Sequence, residues 1–282
     1  MYLFLGKPPS PLERPLFDEF HAIGAEILSV LDLTSEVELV WRLDTASSTF
    51  ELHLENGRTL GEEELLGVVA LEPPIGDNKQ IKEKEYFRAE KRAAWLAWIW
   101  SLKCPVVNRI PPTLWIPPHV PLPLWRPALR RCGLPAIDAM LSNLPLELDK
   151  FVSQPSDECN YVPLSIGQFY RVASSDDFEG LTKLAQFCPI NLTQYSPLAY
   201  AACVVDRKVF WNQSMPTVLT KMQDPLIQLA AVTGLSFLEV GVLIVGDAPR
   251  VCSVNPFPKL DLFRPDTCDA IAKALLGVLR SD

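Results

Sequence analysis

The sequence predicts an α/β (α+β) fold with an N-terminal α/β domain and a larger C-terminal part. Short apolar runs alternate with stretches of helical spacing along all 282 residues, strong turn signals separate them, and one proline-dense segment divides the chain. The length supports two domains, because single cores stop growing at about 250–300 residues.

In order, residues 2–5 form an apolar run that predicts a strand. Leu16, Phe17, Phe20, Ile23 and Ile27 then recur at helical spacing. Partly alternating residues 37–43 and 49–54 read as strands before the Asn56-Gly57 turn, and the solid apolar run 65–71 reads as another. Residues 89–102 read as a helix carrying Trp95, Trp98 and Trp100, with a short strand at its exit from Pro105 to Asn108. Three tryptophans on one helix can form an aromatic platform for a ligand, but burial of such large side chains in a core or interface is the simpler expectation.

Residues 110–127 contain seven prolines and read as a linker, since proline removes backbone donors and blocks helix and central strand alike. Beyond it, residues 125–132 read as a short helix closed by Gly133, 136–141 as a strand, 146–152 as a helix and 161–165 as a strand. Residues 176–187 show amphipathic helical spacing, 190–195 a strand, and 200–210 a hairpin turning at Asp206-Arg207-Lys208. The apolar stretch 226–245 approaches the length of a membrane span but contains Gln228, Gly234, Glu239 and Gly241. It reads instead as a helix stopped by Gly234 and a buried strand, the first arm of a hairpin turning at Gly246-Asp247. A closing helix is expected over 266–279.

Composition narrows the function. The acidic balance of 34 Asp and Glu against 26 Lys and Arg is spread along the chain, and no clustered basic stripe invites nucleic acid. Residues 1–6 lack the features of a secretory signal, so a cytoplasmic protein beginning at Met1 is expected, with no membrane partner. Seven cysteines without a CxxC pair fit reduced thiols, and His21, His53 and His119 lie too far apart in sequence to suggest a histidine metal site or triad.

Four pieces in fixed order carry a family resemblance. They are Cys104-Pro-Val-Val-Asn-Arg after the tryptophan-rich helix, Gln194-Tyr195 before a hairpin, Val204-Val-Asp-Arg-Lys-Val-Phe210, and Val254-Asn-Pro-Phe-Pro258. Together they resemble the ATP-grasp enzymes, in particular the peptide-modifying carboxylate-amine ligases. The resemblance covers nearly the whole chain. It implies a pre-ATP-grasp domain over 1–109, the linker 110–127, and a two-lobed ATP-grasp fold over 128–282.

Phosphoryl transfer from ATP to a carboxylate needs basic groups on the phosphates and acids on magnesium. By the resemblance, the phosphate-contacting lysines fall at Val162 and near Leu122, and the arginine of the hairpin falls at Ala201. The acid of the penultimate strand falls at Gly241, and the final Glu-x-Asn metal pair becomes Ser253-Val254-Asn255. Val162, Gln194, Ala201, Gly241, Ser253 and Asn255 are thus the cofactor-binding positions of the family, and Asn255 alone keeps a metal-ligating side chain. Glu239 or Asp206 can replace a missing acid only if the strand shifts, since moving from Gly241 to Glu239 displaces the carboxylate by nearly ~7 Å.

Three readings follow. In the first, the chain is an ATP-grasp-like protein that has lost ligase activity, needs no cofactor, and serves as an accessory, binding or scaffolding subunit for a protein or peptide, with a homo-oligomer left open. In the second, it is an active ATP-dependent carboxylate-amine ligase with rearranged ATP and Mg ligands. In the third, it is a structural interaction protein whose tryptophan helix and proline segment meet a partner.

Overall fold

The computed structural model describes residues 1–6, 11–30, 37–43, 48–71, 85–109, 120–152, 159–163, 170–172, 175–194 and 199–281. They fall into two compact units that do not follow chain order. Unit 1 comprises Met1–Pro112, Gly234–Phe237 and Phe257–Asp282, and unit 2 comprises Thr113–Thr233 and Leu238–Pro256.

Unit 1 is built on a parallel sheet of β1 (Tyr2–Leu5), β2 (Ile27–Val30), β6 (Gly67–Ala70) and β7 (Val106–Val107), in the order β2-β1-β6-β7. Every residue of β1 and β6 is buried, as expected of parallel strands covered on both faces, and their apolar runs therefore show no alternation. Helix α1 (Glu13–Ala22) places Tyr2 against Phe20 at 4.4 Å between ring centroids. It also packs on the closing helix α7 (Pro265–Arg280), which the resemblance grouped with the C-terminal lobes. A three-stranded antiparallel sheet of β3 (Val37–Leu43), β4 (Ser48–Leu54) and β5 (Thr59–Gly61) completes the unit with helix α2 (Glu85–Ser101). Trp98 of α2 meets Phe50 and Trp95 edge-on at 5.4 and 5.3 Å, so two of the three helix tryptophans are core. Trp100 is 43% exposed.

Unit 2 holds two four-stranded sheets. The first runs β10-β9-β11-β8, from β8 (Ala139–Ser142), β9 (Cys159–Pro163), β10 (Tyr170–Val172) and β11 (Ile190–Gln194). One face is covered by α4 (Pro145–Val152) and α5 (Ser175–Ala185), enclosing Leu148, Phe151, Tyr161, Leu181, Ile190 and Leu192. The second runs β13-β12-β14-β15, from β12 (Ala199–Val205), β13 (Lys208–Trp211), β14 (Phe237–Val245) and β15 (Ala248–Asn255). Helices α3 (Leu122–Arg131) and α6 (Gln223–Thr233) pack against it.

Several expectations need correction. Ile27 belongs to a strand, because Gly24 at φ +69° ends α1 and the chain turns back to pair Ile27 with Tyr2. The linker's end is helix: α3 begins at Leu122, with Pro121 at its N-cap and Pro123 in its first turn, where a missing N–H costs no intrahelical bond. Residues 110–119 lie outside the described residues, as does His119. Ala136 forms only an isolated bridge, with Val251, and its strand begins at Ala139. The residue-165 end of the strand expected over 161–165 lies outside the described residues, whereas β9 begins earlier, at Cys159. Strands β2, β5 and β10 are too short, at three or four residues, to show a period.

Candidate functional site

Two residues of one resemblance motif, Asn108 and Arg109, turn out to hold the fold. Asn108, 1% exposed, donates from Nδ2 to the Phe237 carbonyl at 2.5 Å and accepts the Phe237 N–H at its Oδ1 at 2.8 Å. One amide thus satisfies both backbone groups at the start of β14. Arg109 donates to the carbonyls of Trp100, Leu102 and Cys104, closing the C-terminal end of α2 where helix carbonyls lack partners. Val-Val-Asn-Arg therefore reads as an edge strand, a clamp and a helix cap.

The positions that the resemblance assigns to ligands divide between the two sheets of unit 2. On the second sheet, the β14–β15 register sets Gly241 opposite Ser253 and Glu239 opposite Asn255. A β-bulge follows at once, since Val242 pairs with Val251 and leaves Cys252 as the extra residue. Val240, Val242, Val251 and Val254 are buried, whereas Glu239, Gly241, Ser253 and Asn255 are half-buried on the other face. The bulge brings two side chains towards Gly241. A Cβ added there would collide with Ser253 Oγ and lie 2.9 Å from Cys252 Sγ. The space in which a side chain at 241 would begin is occupied. Burial pushes the Cys252 thiol up to about 11, so no thiolate is poised on this face near neutral pH.

Ala201, on β12 beside β14, is buried, and its backbone is held at both ends by Asn212: Ala201 N–H donates to Asn212 Oδ1 at 3.0 Å and Asn212 N–H donates to the Ala201 carbonyl at 2.9 Å. Leu122 is buried in the first turn of α3. Asp206 occupies the hairpin turn at φ 50° and is exposed. Among the described residues no group of three or more His, Cys, Asp or Glu side chains is arranged to hold a metal ion.

On the first sheet, Val162 of β9 lies opposite Asn191 of β11, and Gln194 lies opposite Cys159. Asn191 is a buried polar residue that sequence reasoning passed over. It is 2% exposed, and its Oδ1 has no hydrogen-bond partner among the described residues, on the face away from the Ile190 and Leu192 core. The signal was present in the alternation of Ile190-Asn191-Leu192-Thr193, read only as a strand. A second omission is the trio Arg126, Arg130 and Asp138, which lines a depression of about 300 Å³ with Leu129, Leu134, Pro135 and Ala136.

No family model matches the sequence, and no curated protein matches it. Solved structures do match by fold. A Chryseobacterium gregarium RiPP-associated ATP-grasp ligase, in complex with ADP and a leader and core peptide, superposes with a TM-score of 0.72 at 12% identity, covering 99% of this chain and 96% of that one. The macrocyclase MdnC of Microcystis aeruginosa MRC, bound with precursor peptide MdnA, gives 0.76 at 18% identity, over 98% and 100%. The macrocyclase MdnB of the same organism gives 0.74 at 16% identity, over 100% and 99%. From its first strand to its last helix, the chain has the fold of the ATP-grasp ligases.

Proposed function

We propose that this protein keeps the ATP-grasp fold without ATP-dependent ligation and acts as an accessory, binding or scaffolding subunit for a peptide or protein in a biosynthetic or peptide-modification system. The observation that carries this reading is the filled position at Gly241. An acid there would have to turn Ser253 Oγ and Cys252 Sγ aside, and Ser253 itself stands where the resemblance expects the second acid. Val162, Ala201 and Leu122 are uncharged, so basic and acidic groups are lost together. A triphosphate would enter such a site with its charge uncompensated. Two of the structural neighbours are bound to precursor or leader peptides, which supports a peptide as the partner. Isothermal titration with ATP and magnesium is expected to give no micromolar binding, and clear heat at that concentration would sink the reading.

One observation favours the second reading, an active ligase with rearranged ligands. Glu239 lies directly across from Asn255, at a spacing where cross-strand side chains meet at about 5 Å between Cβ atoms, so one carboxylate and one amide share a row. If they hold magnesium, ADP and phosphate should appear with a suitable acceptor, and Glu239→Gln should abolish the turnover. Silence across a broad panel of amine acceptors counts against it.

A further inference from the structure

The depression on α3 has no part in the ligand positions discussed above. Arg126 and Arg130 stand one helical turn apart on α3, an arrangement of like charges that weakens an isolated helix. Gly133 at φ +67° then reverses the chain, and Leu134 N–H bonds back to the Leu129 carbonyl at 2.9 Å. The next residues are strapped to β15: Val251 N–H donates to the Pro135 carbonyl at 2.8 Å, and Ile137 N–H donates to the Val251 carbonyl at 2.9 Å. Arg126 is anchored by its Nη2, which donates to the Ala139 carbonyl at 3.0 Å, and most of its five donors are unspent among the described residues. Arg130 is exposed and makes no ion pair among the described residues. Asp138 is exposed at the same rim.

The result is a preorganised cup with aliphatic walls, two guanidinium groups and one carboxylate, a local charge of +1 in a chain of net charge −8. We propose that this cup receives an acidic side chain of a partner peptide, the carboxylate seated between Arg126 and Arg130, its aliphatic stem on Leu129, Leu134 and Pro135, and a peptide N–H donated to Asp138. The charge count selects this ligand. A single carboxylate neutralises the local +1, whereas a phosphate near −2 would press against the Asp138 carboxylate. A volume of about 300 Å³ lies at the small end of ligand pockets and suits one side chain with its flanking backbone.

The proposal gives the partner of the preceding section a place to dock and rests on that reading only in expecting a peptide. The test uses the full chain and two blocked peptides, acetyl-Ala-Leu-Glu-Ala-amide and its Gln counterpart, followed by ligand-observed NMR. The Glu peptide should bind at least about tenfold more tightly than the Gln peptide, and raising salt from about 0.05 to 0.5 M should weaken it. Arg130→Glu, at an exposed position, should leave the melting temperature unchanged and remove the preference. Asp138→Asn should let inorganic phosphate compete where it does not in the parent. Equal binding of the two peptides, an Arg130→Glu variant that binds as the parent does, or phosphate outcompeting the Glu peptide in the parent would each overturn the proposal. Failure here leaves the ATP titration untouched, and ATP binding leaves this cup untouched.

Discussion

Asn108 and Gly241 both bear on β14, and the sequence treats them in opposite ways. At the strand's start, Phe237 has both backbone groups met by one buried asparagine from a segment 129 residues away. Four residues on, where the resemblance expects a charged ligand, there is no side chain at all, and Ser253 Oγ and Cys252 Sγ stand where its Cβ would lie. Removing Asn108 would leave buried polar groups unsatisfied, whereas a ligand side chain at 241 would have no such hold on the fold.

The contrast can be broken by exchanging the demands on the two sites. Asn108→Leu is the largest expected effect, because both the N–H and C=O of Phe237 lose their partner inside the core. A loss of about 3–5 kcal/mol is expected in urea denaturation. Gly241→Asp should cost about 2–3 kcal/mol through overpacking. The sign is informative, since filling a strand glycine in open space would instead stabilise by about 0.5–1 kcal/mol. Adding Ser253→Gly should recover part of the loss, and a coupling above about 0.5 kcal/mol in the double-mutant cycle confirms that the two positions compete for one volume. Arg109→Ala, which frees three carbonyls at a half-exposed helix end, should cost about 1–2 kcal/mol.

The smallest effect sharpens the picture of the closed gap. With its pKa raised from 9.0 to about 11 by burial, Cys252 keeps its proton in the folded state while the unfolded thiol ionises. Its contribution to stability is full below about pH 9 and is lost as pH rises from there through 11. Peptide mapping after iodoacetamide treatment should therefore find Cys252 unlabelled at pH 8 in the native protein and labelled in urea. Rapid native labelling at pH 8 would mean that the bulge is open.

The fold was legible where elements are long and periodic or solidly apolar. Both C-terminal hairpins turn where Asp206-Arg207 and Gly246-Asp247 signalled, and Gly234 caps α6 at φ +69°. The proline segment misled because proline blocks a helix's interior and not its first turn, so Pro121 and Pro123 mark the start of α3. The site was legible only as a set of substitutions. That Gly241 faces two neighbours and not an empty notch depends on a one-residue bulge at Cys252, which no local pattern announces. Likewise the Arg126–Arg130–Asp138 cup exists because Gly133 folds the chain back onto its own helix and β15 straps it there.

If Ser253 and Cys252 fill the site as proposed, magnesium-bound ATP is excluded, and thermal unfolding with and without millimolar MgATP reads this out. A site of micromolar affinity at about a thousandfold excess would add about 4 kcal/mol and raise the melting temperature by roughly 7 °C. No shift is expected, and the Gly241→Asp variant should be equally indifferent. A rise of several degrees in the parent protein would contradict it.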